Sequence, residues 1–191
     1  MPLDLSLLLS NLTPGYHVAW RQAKLTQVDS DSVDRIVASW RARDPQLDSS
    51  TLEVIGRLLL CATYFDRAAR TVLQQFELSV ADFDVLNTLR RVGDRSGSKP
   101  TDLARSSLIS TGAMTARLDR LEQAGLITRA PDPDDRRGVL VRLTSQGNKI
   151  GKQALQKLIA ANEVFLEPLS HEQRNTIASA FRQLLLHHEN G

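Results

Sequence analysis

Apolar residues recur three and four positions apart along most of this chain, and the rhythm switches to alternation once, between residues 126 and 143. The first 30 residues are weakly patterned, with Pro14-Gly15 as a turn signal, and are expected to form a helical extension or to be partly disordered. Val33, Ile36, Val37 and Trp40 then mark a helix that Asp44-Pro45 ends, because the residue before proline avoids the α region. Ser49 or Ser50 can cap the next helix, with Glu53 in its first turn. Its stripe runs from Leu52 and Ile55 through Leu58, Leu59, Ala62, Phe65 and Ala69 to Val72 and Leu73. A stripe of that length predicts a central helix packed on both neighbours and on a partner chain. Ser79 opens another helix, with Phe83, Leu86 and Leu89 on one face and Gly93 at its end, and Asp94–Lys99 reads as a polar loop.

The segment 101–144 holds the change of rhythm. Thr101 starts a short helix with Leu103, Ala104 and Leu108 turned inward, and Ser110 caps a second, with Met114, Leu118 and Leu121 as its core stripe. Gly125 stands where a glycine just past a helix end would. Leu126–Arg129 and Val139–Leu143 then read as two strands around a charged tip, Pro131–Gly138. Beyond the hairpin, Ser145 begins a long helix broken at Pro168. Ser170 caps a last one with Ile177, Phe181, Leu184 and Leu185 on one face. The fold class is therefore mainly α with a small β-hairpin wing: a winged helix-turn-helix carrying N- and C-terminal dimerisation helices. The expected layout is an extension over 1–48, a helical dimerisation region over 49–78 and 145–191, and a DNA-binding region over 79–144.

Composition adds little until it is resolved along the chain. Of 191 residues, 41% are hydrophobic and 24% charged, with a net charge of only +2. Between Arg90 and Arg142, however, eleven Lys/Arg face seven Asp/Glu, so an excess of four sits on a chain that elsewhere is net negative. A local basic excess on a helix-turn-helix is the footprint of a phosphate-facing surface, and double-stranded DNA is the expected partner. The small polar residues Ser110, Thr111, Gly112 and Thr115 lie at the start of the second helix, where a reading helix meets bases and phosphates, and Arg120 is added to that face. Asp135, Arg136 and Arg137 lie at the hairpin tip, and an arginine there can enter the narrow, electronegative minor groove. A solvated charged turn is the plainer reading of that tip, but it does not account for the two helices that precede it.

The run LDRLEQAGLITR, followed by DDRRGVLVRLTSQG, resembles the MarR family of transcription regulators over at least residues 49–185. The resemblance implies that Arg137 is the minor-groove contact and that Asp135 orients the wing. It also implies a homodimer whose terminal helices interlace and whose wings straddle a pseudo-palindromic operator. The segments SWRARDPQLDSSTLEVIGRL and FDVLNTLRRVG narrow the likeness to the PecS-like, urate-responsive subgroup. By that likeness Trp40, Asp84, Arg91 and Arg117 form a ligand site, with Asp84 and Arg117 linking a sensor helix to the reading helix. Such residues suit a flat aromatic anion such as urate, since guanidinium groups recognise planar anions in a bidentate way. Taken singly, each has a plainer reading: packing for Trp40, a surface acid for Asp84, a phosphate contact for Arg117. Trp20 competes with Trp40 for the aromatic role. The implied function is a repressor released from its operator by that anion.

Alternatives use other residues. A phenolic or aromatic-carboxylate effector would fit the same cleft. Cys61 could act as a thiol redox sensor, although its apolar neighbours favour a buried, inert thiol. An architectural DNA binder would have no effector. His17, His171, His187 and His188 show no metal spacing, and no catalytic motif or cofactor site is present, so neither an enzyme nor a bound cofactor is expected. One cysteine, no signal peptide and no apolar run of membrane-spanning length predict a cytoplasmic protein with no membrane partner.

Overall fold

The computed structural model describes residues 30–93, 96–106 and 114–190, with the side chains of 136 and 137 left aside. The chain divides into two compact units, Met1–Cys61 and Ala62–Gly191.

In the first unit, Asp31 caps helix α1 (Ser32–Arg43), accepting from the Val33 and Asp34 amides at 2.8 and 2.9 Å, while Asp34 returns a bond to the Asp31 amide. Val33 and Val37 are buried. Helix α2 (Ser50–Gln74) comes close to α1 at Gly56, where an added Cβ would lie 3.0 Å from Val33 Cγ1. Arg57 on α2 reaches back to both Asp31 and Asp34, and Arg41 pairs with Glu53 at 2.6 Å. The expected stripe on α1 is split: Ile36 and Trp40 are 52% and 44% exposed. Asp48, rather than Ser49, takes the Ser50 amide at the start of α2.

The second unit contains the core. Ala69 and Leu73 at the end of α2 pack with Leu78 in the following turn and with Val85, Leu86 and Leu89 of α3 (Val80–Val92), whose N-cap is Ser79. The same cluster takes Leu103 from α4 (Pro100–Ser106), Met114, Leu118 and Leu121 from α5 (Met114–Gln123), and Ala154 and Leu158 from α6 (Ser145–Leu166). Pro100 rather than Thr101 opens α4, as fits proline's missing amide at a first helical position. Gly125 follows α5 with φ of +68°, the left-handed conformation expected of a glycine past a helix end.

Strands β1 (Ile127–Asp132) and β2 (Asp135–Leu143) pair antiparallel, from Ile127 opposite Leu143 to Asp132 opposite Asp135. The strands run farther into the charged tip than alternation suggests, because the ladder is made by backbone groups whatever the side chains. Only Pro133 and Asp134 turn the chain. The register slips between Pro131 and Asp132, which leaves Arg136–Gly138 as the bulged part of β2. The loop before α4 is not purely a connector: Ser98 pairs with Val141 on the other edge of β2, with both amide–carbonyl distances 2.9 Å.

The sequence Leu-Thr-Ser-Gln-Gly has a physical explanation here. Thr144 caps α6 by accepting from the Gly147 amide, and its hydroxyl donates to the Gly125 carbonyl at 2.8 Å. Gly147 sits so close to the Leu126 carbonyl that a Cβ would meet the oxygen at 1.9 Å. The motif therefore joins the end of the reading helix, the first strand and α6. Helix α7 (His171–Glu189) begins with a Ser170–Gln173 capping box and buries no residue. Among the described residues, no helix is long and apolar enough to cross a membrane.

Candidate nucleic-acid interface

The reading helix is held from below by Met114, Leu118 and Leu121, all buried, which leaves Thr115 exposed on its first turn. Ser110, Thr111 and Gly112 lie outside the described residues. Arg120, expected at the DNA, reaches back to α3: its Nη2 lies 2.7 Å from Asp82 Oδ1, with the two side chains 54% and 10% exposed. Asp82 also accepts the Ser79 hydroxyl at 2.6 Å while its own amide bonds Ser79. Burial pushes the Asp82 carboxyl up. Hydrogen bonds from Arg120 and Ser79, and the charge of Arg120, together outweigh burial and hold it below the usual carboxylate range. The sequence offered a signal for this residue, since Ser79-Val-Ala-Asp82 is a capping-box spacing with Asp in place of Glu.

The expected sensor residues are distributed as follows. Asp84 is partly buried on α3 and is itself engaged. Arg91, near the end of α3, donates from Nη2 to the Ser106 carbonyl at 2.6 Å, a cation at the C-terminus of α4. Arg117 is partly buried, and its Nη1 is enclosed with no hydrogen-bond partner among the described residues. Trp40 belongs to the first unit. Among the described residues, an Asp82–Arg120 pair bridges α3 and α5, the same two helices that the resemblance links through Asp84 and Arg117.

On the wing, Arg129 ties β1 to the outer side of α5, through Asp119 at 2.6 Å and Glu122 at 3.6 Å. Arg142 donates to the Ser96 carbonyl. Asp132 was not foreseen: its side chain is only 4% exposed and lies 3.0 Å from Lys99 Nζ. The Asp134 amide, and then Lys99, hold this carboxyl below its usual range, and Asp132 in turn raises the Lys99 ammonium. The Asp-Pro step at 132–133 was the available hint, since an Asp beside a proline turn commonly accepts an amide two residues on. Several of the cations counted as basic excess are therefore engaged within the fold: Arg91, Lys99, Arg120, Arg129 and Arg142.

Cys61 corrects another expectation. It is exposed, not buried, because the α2 stripe around it, including Leu59 and Phe65, is itself exposed in the protomer.

Comparison with known proteins agrees with this architecture. The MarR family model matches residues 78–139. The HTH-type transcriptional regulator PecS of Dickeya dadantii is 34% identical over 155 residues, covering 81% of this chain and 93% of that protein. The multiple antibiotic resistance protein MarR of Escherichia coli K12 is 36% identical over 103 residues, 53% of this chain and 69% of its own. A crystal structure of an E. coli MarR variant complexed with operator DNA superposes with a TM-score of 0.63 at 27% identity, over 73% of this chain and 99% of that one. The hairpin, the paired short helices before it and the Thr144–Gly147 junction belong to a DNA-binding winged helix-turn-helix, and the chain belongs to the MarR family of transcription regulators.

Proposed function

We propose that the protein is a homodimeric repressor that leaves its operator when a flat aromatic anion, with urate the first candidate, binds between α3 and α5. The observation that carries this reading is Arg117 Nη1, a guanidinium nitrogen on the reading helix itself that is enclosed with no partner among the described residues. Leaving a buried donor unsatisfied costs about 1–3 kcal/mol, and a planar anion would recover that cost. Arg91 and Asp84 on α3 supply a second fork and a carboxylate that such a ligand would compete with. Because α5 also carries the DNA-facing Thr115, a ligand drawn to Arg117 acts on the element that reads DNA.

Dimerisation is supported by apolar faces that the protomer leaves open. On α7, Ile177, Phe181, Leu184 and Leu185 are 39–57% exposed, and Ile159 and Val164 on α6 are exposed as well. At the DNA, Thr115 and the wing residues Asp135, Arg136 and Arg137 are the proposed contacts, with Ser110, Thr111 and Gly112 carried as sequence-based members of the same surface.

The test is a titration of the full-length dimer with urate, read by calorimetry and by fluorescence anisotropy on operator DNA. Urate should release heat and lower DNA affinity at least tenfold, a differential binding energy of about 1.4 kcal/mol. Arg117→Ala should abolish both responses. Heat with no change in DNA affinity would make the anion a bystander, and no heat up to millimolar urate would remove it as the effector. Separately, Arg137→Ala should weaken operator binding and reduce the salt slope by about one if one backbone contact is lost.

A further inference from the structure

The wing is a two-stranded hairpin, an element that is marginal by itself and depends on what holds it. At its base it is well anchored: Thr144 and Gly147 fix the exit from β2, Arg142 holds the Ser96 carbonyl, and Arg129 fastens β1 to α5. At its far end the described anchor is Asp132. Its carboxylate is almost wholly buried although it sits at the tip of a surface hairpin, and it meets Lys99 at 3.0 Å just before α4 begins. Gly138, the residue after the two tip arginines, closes over it, and a Cβ there would lie 2.9 Å from Asp132 Cβ. Buried charges persist where they are paired, and among the described side chains this one is paired to Lys99, the residue that leads into the first helix of the reading motif.

We propose that Lys99 and Asp132 are positioning residues that set the angle of the wing tip relative to α4, and so place Arg136 and Arg137 at the minor groove. The proposal rests on the reading of the wing as a DNA contact. It assigns Lys99 a role opposite to the one its charge suggests. A lysine beside the first helix of a helix-turn-helix is ordinarily taken for a phosphate contact, whereas here the ammonium acts through Asp132.

The two roles predict opposite signs for one variant. Asp132→Ala keeps the Cβ that Gly138 packs on, removes a negative charge near DNA and frees Lys99. If only charge mattered, operator binding would tighten. If the pair positions the wing, operator affinity falls about tenfold, the size of losing one specific groove contact. Anisotropy titrations of wild type, Asp132→Ala, Lys99→Met and Arg137→Ala, singly and in pairs, decide it. Lys99→Met combined with Asp132→Ala should be no worse than either alone, and Asp132→Ala should add little to Arg137→Ala, because both act through the same tip. Lys99→Arg should retain most of the affinity. Minor-groove footprinting should lose protection under the wing while major-groove protection persists.

Unchanged or tighter binding by Asp132→Ala, with Arg137→Ala weakened, overturns the proposal and leaves the wing reading intact. Additive losses for Asp132→Ala and Arg137→Ala overturn it too. If Arg137→Ala binds as wild type does, the wing contact itself is wrong. Should Asp132→Ala fail to fold, Lys99→Met combined with Arg137→Ala carries the same comparison.

Discussion

Helices α3 and α7 carry apolar stripes of the same kind and meet opposite fates. On α3, Phe83, Leu86 and Leu89 disappear into the core, while on α7 the residues Ile177, Phe181, Leu184 and Leu185 remain open and nothing is buried. Periodicity reports that a helix has an apolar face and is silent about what covers it. For α3 the cover is supplied by α4, α5 and α6 within the same chain. For α7 it is supplied, on the proposed reading, by a second copy. The same division runs through the polar contacts, since α3 pairs with α5 through Asp82 and Arg120 while the apolar stripe of α7 stays open.

The largest effects should come from breaking the buried side of this comparison. Leu86→Ala removes a fully buried side chain and should cost about 2–5 kcal/mol in chemical denaturation, independent of protein concentration. Gly147→Ala drives a methyl into the Leu126 carbonyl and should cost at least about 1–3 kcal/mol, read as a lower denaturation midpoint. On the open side, Leu185→Arg should leave the fold of the protomer intact but shift it to monomer in analytical ultracentrifugation, making its melting temperature independent of concentration. If Leu185→Arg instead unfolds the protomer as Leu86→Ala does, the two stripes do not differ as argued.

The smallest effect concerns the inward coupling. Arg120 is about half exposed, so solvent screening limits the Asp82–Arg120 pair to about 1 kcal/mol or less. Its pH dependence has a definite sign. A carboxyl held below its unfolded-state value contributes stability that is fully present above about pH 4 and is lost as pH falls through the folded value. Wild type and Asp82→Asn should therefore differ by a constant amount from pH 8 to pH 5 and converge at lower pH. A difference that grows between pH 5 and pH 8 would point to another group.

Much of the fold was legible because it rests on local chemistry. Asp44-Pro45, Ser79, Gly125, Pro168 and Ser170 mark helix ends through backbone preferences that operate without tertiary help. The hairpin was legible from alternation, but its length was not, since the ladder continues through residues whose side chains carry no pattern. The loop before α4 read as polar, and its pairing through Ser98 to Val141 has no side-chain signature, because backbone groups make it. The site was legible in outline only. The resemblance implied a link between Asp84 and Arg117, and the structure adds a pair on the same two helices, Asp82 with Arg120, while Asp84 is engaged as well. Helical spacing determines which face a residue shares, but which of two nearby acids meets which of two nearby arginines depends on the crossing of the helices.

By itself, then, the sequence determined the order of elements, the winged helix-turn-helix, the family and the apolar character of each face, because these follow from residue types at fixed spacing. Tertiary structure decided which of the described cations are engaged within the fold. Arg91, Lys99, Arg120 and Arg129 look alike in a charge count, yet one holds a carbonyl and three hold carboxylates. The physical reason is reach: a Lys or Arg side chain spans far enough to choose among partners, and the choice is made by whatever the fold brings within about 3 Å.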